Sequence, residues 1–361
     1  MHVAFIGTRG VPASYSGFET CVEQVGRRMV ERGHEVTVYC RTTHYRERPP
    51  EYLGMQLRYL PAIPQKHLET ISHTTASALR LPKQSAIVCM GVGNAPAVRA
   101  IEVGGRRTVF NVDGADWQRD KWGALARWYL RTCESMAARS RSIVVADAEA
   151  VHDYYQNVYG RDTVVVPYGA DAPADRGTDV LQRFRLEPGC YFLFVGRLVP
   201  ENGAHELLDA VRLSSLDVPV VVVGDATYAE EYKAQLKAAS PPGAVFTGYQ
   251  FGASYQQLSS HAAVFVLAAS VGGTHPVLLE QMAAGNAILA RDNTSNREVL
   301  GDAGLYWNTV PELAALMKEL WPDGERRKHL GEEARRRVEE RYSWEKVTSQ
   351  YLELCERSLA Q

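Results

Sequence analysis

The strongest constraint on the fold is a series of short β-branched strands separated by amphipathic helical stretches, which occurs twice along the chain. In the first series we predict strands at 3–6, 35–39, 86–89, 108–111, 142–146 and 163–167. In the second series we predict them near 191–195, 218–223, 264–268 and 287–290. Strands that alternate with helices form parallel sheets covered on both faces. The sequence therefore predicts an α/β protein with two Rossmann-like, doubly wound domains.

The composition shift at 167–173, Pro-Tyr-Gly-Ala-Asp-Ala-Pro, indicates the linker between these domains. We expect a first domain over 1–168 and a second over 169–344, which suits a chain of 361 residues. The terminal segment 345–361 continues a helical period that starts at Trp344. It either caps the second domain or crosses back to the first.

Composition argues against several classes of protein. A net charge of −2 gives no global positive field, so nucleic acid is not an expected partner. No apolar run approaches the roughly 18 residues that span a bilayer, and the N-terminus lacks a secretory pattern. The six cysteines are scattered singly, without metal-ligand spacing. We therefore expect a cytoplasmic protein with reduced thiols.

A glycine-rich loop follows the first strand and precedes a helix predicted from about 20 to 31. Its glycines, among them Gly7, Gly10 and Gly17, either let backbone amides approach a phosphate or simply form a tight turn. A dinucleotide site would need Gly-x-Gly-x-x-Gly and an acidic end to the second strand. Position 9 is Arg and the second strand ends at Arg41, which counts against an NAD enzyme.

Arg197 follows the first strand of the second domain, in Phe194-Val195-Gly196-Arg197-Leu198. An arginine at this edge lies at the mouth of the crevice, where its planar guanidinium can bind a diphosphate with two hydrogen bonds. The alternative is a solvated surface arginine. Gly196 and Arg197 are therefore candidates for binding a phosphorylated ligand.

The segment 270–285 offers a helix start as an anion site, because the first amides of a helix have no partner within it. The candidate residues at this start are Gly273, Thr274, His275, Val277 and Leu278. Glu280 lies in apolar sequence, where a carboxylate is costly unless it is paired. Its partner is either a ribose or sugar hydroxyl or a basic side chain in a salt bridge.

Candidate groups in the first domain follow the strand that ends near Asn111. Asp113 is a catalytic or sugar-binding candidate, with a loop-capping role as the alternative. It lies three residues from Asp116, so the two do not form the Asp-x-Asp pair that would hold a metal. Arg119 and Lys121 either serve an acceptor or are surface residues.

Two further helical patterns have open interpretations. His67 and His73 share a helix face with Thr70, and this face is a candidate for contacting an acceptor. No third ligand is apparent, so we do not expect a metal there. The segment 127–141 is basic and aromatic, typical either of a helix on a membrane surface or of a solvated face.

Taken in order and spacing, these motifs resemble the retaining glycosyltransferases of family 4. The resemblance rests on Gly7-Thr8-Arg9-Gly10 with Gly17-Phe18-Glu19-Thr20, Gly33-His34-Glu35-Val36-Thr37-Val38, Val195-Gly196-Arg197-Leu198 and Leu279-Glu280-Gln281-Met282-Ala283-Ala284-Gly285. The Asn-Val-Asp-Gly and Val-Gly-Gly-Thr segments are most similar to the rhamnosyltransferase-type subgroup. The resemblance covers essentially the whole chain.

The resemblance implies a GT-B architecture, in which two Rossmann-like domains face a cleft and the C-terminal helix crosses back to the first. It implies a nucleoside diphosphate sugar held by the second domain, an acceptor held by the first, and no metal or other cofactor. Carried over to this chain, Arg197 binds the diphosphate and Glu280 the ribose. Gly17 lets the loop approach the phosphate, and Asp113 stands where many relatives have a sugar-contacting histidine.

The chain departs from the family pattern at several positions. Gly272 stands where the first of two glutamates is expected, eight residues before Glu280, and Asn202 stands near an expected lysine. His275 and Val277 replace residues that are more often Asn and Ser. Loss of the first carboxylate makes a deoxysugar such as rhamnose more plausible as the donor sugar.

We therefore expect transfer of a sugar to a hydroxyl acceptor, in glycan or natural-product biosynthesis, with Asp113, Arg197 and Glu280 as catalytic candidates. The acceptor is a saccharide, a lipid-linked glycan or a small molecule, and the enzyme is cytoplasmic or peripheral at the inner face of the membrane. The alternatives are a nucleotide-sugar epimerase, a sugar-phosphate synthase and a non-catalytic sugar-nucleotide-binding protein. Turnover with an added acceptor distinguishes them.

Overall fold

The computed structural model describes residues 1–13, 17–65, 68–112, 123–226, 229–269 and 274–360. The chain divides into two compact units, Met1–Tyr168 with Trp344–Gln361, and Gly169–Ser343. Each unit is built on one sheet with predominantly parallel strands. The predicted fold class, two Rossmann-like α/β domains, is confirmed.

The first unit contains an eight-stranded sheet in the order β3-β4-β2-β1-β5-β6-β7-β8, parallel throughout except for the β3–β4 pair. Its strands are β1 (His2–Ile6), β2 (Glu35–Arg41), β3 (Glu51–Tyr52), β4 (Met55–Leu60), β5 (Ser85–Met90), β6 (Val109–Asn111), β7 (Ile143–Ala146) and β8 (Val164–Val165). Its helices are α1 (Gly17–Glu31), α2 (Glu69–Ala78), α3 (Ala95–Val103), α4 (Ala124–Ala138), α5 (Glu149–Tyr159) and the terminal α14 (Trp344–Ala360).

Helix α14 packs against α1 and the sheet of the first unit, which selects one of the two alternatives left by the sequence. Asn111 at the end of β6 donates a 2.9 Å hydrogen bond from Nδ2 to the buried hydroxyl of Tyr351. Glu345 forms ion pairs with Arg28 of α1 and with Arg32, which directly follows that helix. The terminal helix is therefore part of the first unit.

The second unit contains a six-stranded parallel sheet in the order β11-β10-β9-β12-β13-β14. Its strands are β9 (Phe192–Val195), β10 (Val220–Val223), β11 (Ala244–Gly248), β12 (Val264–Leu267), β13 (Ala287–Arg291) and β14 (Leu305–Trp307). Its helices are α6 (Asp179–Phe184), α7 (Ala204–Ser214), α8 (Glu230–Ala238), α9 (Gly252–Ser260), α10 (Pro276–Ala284), α11 (Thr294–Leu300), α12 (Val310–Leu320) and α13 (Gly324–Arg341). The connections reverse direction at β9, which lies between β10 and β12.

The strands that the sequence analysis missed lie at or next to sheet edges. β4 alternates buried Met55 and Leu57 with exposed Gln56 and Arg58, so its apolar content is low. β11 and β14 each form an edge of the second sheet, and all five residues of β11 and two of the three in β14 are only partly buried. An edge strand buries less side-chain surface than a central one and therefore has a weaker hydrophobic pattern.

Within the described residues, no helix is both long and apolar enough to cross a membrane.

Candidate functional site

The carboxyl edge of the second sheet brings Arg197 to the point where the strand order reverses. In open α/β sheets this point is where ligands bind. Arg197 lies two residues beyond β9, and its side chain is exposed. Among the described residues its guanidinium has no carboxylate within ion-pair distance. The position and charge therefore suit a bound anion.

Glycines make close backbone contacts around Arg197. A Cβ atom added at Gly224, just after β10, would lie 2.0 Å from the carbonyl oxygen of Gly196. A Cβ atom at Gly203 would lie 2.5 Å from the carbonyl oxygen of Ala268, just after β12. The amide of Gly196 itself donates to Val223 at 3.0 Å. These glycines allow the loops at the carboxyl edge to pack closely, and a donor contact by Gly196 stays a prediction.

Asn202, at the position of the expected lysine, acts within this loop. Its Nδ2 donates a 2.8 Å hydrogen bond to the carbonyl oxygen of Arg197. The side chain therefore fixes the backbone that carries the arginine and adds no positive charge to the edge.

Helix α10 starts after β12 with His275 as N-cap and Pro276 as its first residue. The N-cap side chain does not accept a hydrogen bond from the first turn, and proline has no amide hydrogen to satisfy. Thr274, His275 and Val277 are partly exposed at this start, so their predicted donor contacts stay predictions. Gly273 lies outside the described residues.

Leu278 does not have the role predicted for it. Its side chain is fully buried in the core, and its amide donates a 2.9 Å hydrogen bond to the carbonyl oxygen of His275. Because both its side chain and its amide are already engaged, the prediction of a donor contact is wrong for this residue.

Among the described residues, Glu280 is hydrogen-bonded to a tyrosine hydroxyl and forms no ion pair with a basic side chain. Tyr255 of α9 donates to Glu280 Oε2 at 2.5 Å. The carboxyl group is packed between α9 and α10, and this loss of water raises the pKa of Glu280 above its usual range, while the Tyr255 hydroxyl opposes the shift. The salt-bridge alternative is therefore not found among the described residues. The sequence carried no signal for Tyr255, which lies 25 residues earlier on another helix.

The glycine-rich loop of the first unit is closed by its own side chains. The amide of Arg9 donates to Glu19 at 3.0 Å, that of Gly10 to the hydroxyl of Thr8 at 3.2 Å, and that of Ala13 to Glu23 at 2.7 Å. Three of the described amides in this loop are thus already bonded within the protein.

Gly10 is required by the turn. It has φ +116°, and a Cβ atom there would lie 2.5 Å from the sulfur of Cys40. The turn interpretation replaces the predicted donor contact of Gly10. Gly17 begins α1, and its contact with the donor stays a prediction.

Four of the predicted groups in the first unit, His67, Asp113, Arg119 and Lys121, lie outside the described residues, so their roles stay predictions.

His73 lies on the inner side of α2 and is completely buried. Burial, and then the nearby charge of Arg41, lowers the pKa of its ring to about 4, so the imidazole is neutral. A ring closed off from solvent cannot contact an acceptor directly, which corrects the prediction for His73. Arg41, at the end of β2, forms a 3.3 Å ion pair with Glu69, which lies on α2 like His73.

Metal ligands do not cluster in the described part of the chain. No group of three or more His, Cys, Asp or Glu side chains there has the arrangement of a metal site. A metal-independent mechanism stays a prediction.

Two family models match this chain, one in each half. Residues 16–169 match the "Glycosyl transferase 4-like domain", and residues 182–337 match "Glycosyl transferases group 1". The O-antigen chain mannosyltransferase C of Escherichia coli is 26% identical over 241 residues, which is 63% of this chain. The alignment covers 61% of that relative, so this chain spans less than two thirds of its length.

Solved structures match over nearly the whole chain. Sucrose-phosphate synthase from Thermosynechococcus elongatus has a TM-score of 0.84 at 18% identity, with 99% of each chain covered. Anabaena HepE in complex with UDP-glucose has a TM-score of 0.75 at 18% identity, with 98% of each chain covered. At this identity the likeness is one of fold. The two domain matches, in the order expected for the GT-B fold, show that this chain belongs to the GT-B glycosyltransferases.

Proposed function

We propose that this protein transfers a hexosyl group from a nucleoside diphosphate sugar to a hydroxyl group of a saccharide acceptor, with retention of anomeric configuration and without a metal. The observation that carries the proposal is the exposed Arg197 at the strand reversal of a domain that matches the group 1 glycosyltransferases. A cation at this edge, close in the fold to the start of α10, suits a leaving diphosphate.

The proposed chemistry depends on where charge develops. As the bond from the anomeric carbon to the diphosphate breaks, negative charge grows on the phosphate oxygens, and Arg197 with the start of α10 stabilises it. Glu280 accepts a hydrogen bond from the ribose. The acceptor hydroxyl attacks from the face that the diphosphate leaves, and its proton passes to a phosphate oxygen. Asp113 contacts the transferred sugar.

The donor sugar is proposed to be a hexose or a 6-deoxyhexose such as rhamnose. One related protein is a mannosyltransferase, and one of the similar solved structures is a complex with UDP-glucose. The absence of a glutamate at Gly272 removes a hydroxyl acceptor, which favours a sugar with fewer hydroxyls. The acceptor is proposed to be a glycan or lipid-linked saccharide, with a small natural product as the alternative.

We also propose that α4 brings the enzyme to the inner face of an anionic membrane. Leu125 and Trp128 are 79% and 65% exposed, and Arg127 and Arg131 lie on the same exposed stretch of the helix. Exposed apolar side chains beside arginines are typical of a helix at a lipid surface. Cosedimentation with phosphatidylglycerol vesicles, and not with phosphatidylcholine vesicles, is the expected result. Equal binding to both, or to neither, would refute this part of the proposal.

A transfer assay tests the proposed function. The protein is incubated with UDP, GDP and dTDP sugars of glucose, mannose and rhamnose, together with a mixture of saccharide acceptors. We expect a glycosylated product whose anomeric configuration, read by NMR, equals that of the donor. Conversion of the donor without any acceptor would favour an epimerase, and a sugar phosphate as the accepting substrate would favour a synthase. Binding of donors without any turnover would indicate a non-catalytic protein.

A further inference from the structure

A chain of polar side chains runs from the core of the second unit to Glu280. Asn286 Nδ2 donates to Gln281 Oε1 at 2.7 Å and to the carbonyl oxygen of Ser259 at 2.8 Å. Gln281 Nε2 donates to the hydroxyl of Ser259 at 2.8 Å and to that of Tyr255 at 3.1 Å. Tyr255 in turn donates to Glu280.

The buried residues at one end of this chain of side chains determine which group donates each hydrogen bond. Asn286, Gln281 and Ser259 are each at most 3% exposed, so their polar groups must be satisfied within the protein. Both hydrogens of the Gln281 amide group are used, one of them on the Tyr255 oxygen. A tyrosine hydroxyl has a single hydrogen. Because its oxygen already accepts from Gln281, that hydrogen is directed to Glu280.

The outer end of the chain leaves one carboxylate oxygen for a ligand. Glu280 is partly exposed, and among the described residues only its Oε2 receives a hydrogen bond. Helices α9 and α10 follow β11 and β12 and therefore start at the carboxyl edge of the sheet, where Arg197 is found. Tyr255 is the fourth residue of α9 and Glu280 the fifth residue of α10, so each lies about one helical turn from that edge.

We propose that Tyr255 is a positioning residue for nucleotide binding, which holds Oε2 of Glu280 so that Oε1 accepts a hydrogen bond from a ribose hydroxyl. This inference rests on the proposed function, since it needs a nucleoside diphosphate as ligand. A carboxylate held at one oxygen loses less rotational freedom when the ligand binds, and the affinity gains from this preorganisation.

The test compares two variants that break the same chain at different ends. Tyr255→Phe removes the hydrogen bond to Glu280, whereas Asn286→Ala removes two bonds at the buried end and leaves the Tyr255–Glu280 contact in place. Affinity is measured by calorimetry for whichever of UDP, GDP and ADP binds the wild type most tightly. Inorganic pyrophosphate serves as the ribose-free probe, and melting temperature reports on folding.

We expect Tyr255→Phe to weaken the binding of the nucleoside diphosphate about three- to tenfold, because ordering one side chain on binding costs about 0.5–1.5 kcal/mol, with pyrophosphate affinity unchanged. We expect Asn286→Ala to lower the melting temperature and to change nucleotide affinity by less than about twofold. Adding Glu280→Gln to Tyr255→Phe should then have much less effect than it has in the wild type.

Three results would overturn the inference: unchanged nucleotide affinity in Tyr255→Phe, an equal loss of nucleotide and pyrophosphate affinity, or an equal effect of the two variants. A wild-type protein that binds none of the three nucleotides would instead contradict the proposed function itself.

Discussion

Replacing Gly331 with alanine tests how closely α13 must pack on the end of α10. A Cβ atom at this buried position would lie 2.0 Å from the carbonyl oxygen of Gly285, which ends α10. The contact is with backbone, so the two helices must separate. Separation also strains the bonds of Arg335, whose Nε and Nη2 donate to the carbonyl oxygens of Ala283 and Ala284 at 3.3 and 2.6 Å.

The magnitude follows from three terms. Overpacking costs about 2 kcal/mol, and weakening one hydrogen bond to a charged group costs about 2 kcal/mol more. The better helix propensity of alanine returns about 1 kcal/mol. The net loss of about 3 kcal/mol corresponds to a fall in melting temperature of roughly 6–12 °C for a domain of this size.

Gly324→Ala is the matched control, because it lies in the first turn of the same helix. The nearest atom to an added Cβ there is the end of the Arg327 side chain, at 3.7 Å. We expect this variant to melt within about 2 °C of the wild type. Thermal unfolding followed by circular dichroism measures both. A Gly331→Ala protein as stable as the Gly324→Ala control would refute the argument that backbone contact fixes α13 on α10.

Four further predictions concern the site and the terminal helix. Arg197→Ala should lower kcat/KM by about 10²–10³-fold, the scale of losing one hydrogen-bond donor to the developing charge, and should leave the melting temperature unchanged. The control is Arg183→Ala, which changes an exposed arginine on α6 and should leave kcat/KM unchanged. Near-normal turnover of Arg197→Ala would remove Arg197 from the site. Excess EDTA should leave transfer undiminished, and activity lost to EDTA and restored by magnesium or manganese would contradict the metal-free mechanism. Folding raises the pKa of Glu280, so the contribution of this group to wild-type stability falls as the pH rises above 4.5, the usual pKa of a glutamate. Glu280→Gln should therefore weaken nucleotide binding, while the difference between its melting temperature and that of the wild type should increase from pH 4 to pH 8. A decrease of that difference over the same range would refute the assignment. Tyr351→Phe, which removes the hydrogen bond between the buried Asn111 amide and the Tyr351 hydroxyl, should cost about 1–2 kcal/mol of unfolding free energy in urea denaturation. Glu345→Gln, which removes a 64% exposed carboxylate from its ion pairs with Arg28 and Arg32, should cost under about 1 kcal/mol; the reverse order would show that the surface pairs hold α14.

Part of the site could be predicted because it follows from local pattern. Arg197 directly follows a buried strand, and the reversal of strand order places the end of that strand where ligands bind. The start of α10 is likewise marked in sequence by a proline followed by an apolar run. Predicting these positions required only that strand ends and helix starts be recognised, and both are determined by residues close in sequence.

The remaining roles depended on contacts that no local pattern records. Gly10 and His73 were expected to contact ligands, but Cys40 packs against the first and the sheet buries the second. In each case a neighbour in space, and not the residue type, decided whether the group is available.

The amino-acid sequence by itself determined the two α/β domains and the cation at the edge of the second sheet, because strand and helix periods and the residues that end them are local properties. Only the tertiary structure decided that α14 belongs to the first unit, since Asn111 and Tyr351 are 240 residues apart. It also decided that Glu280 is held by Tyr255 and not by a cation. The physical reason is that a buried polar group takes whichever partner the folded chain brings within hydrogen-bond distance, and that choice is fixed by packing between elements distant in sequence.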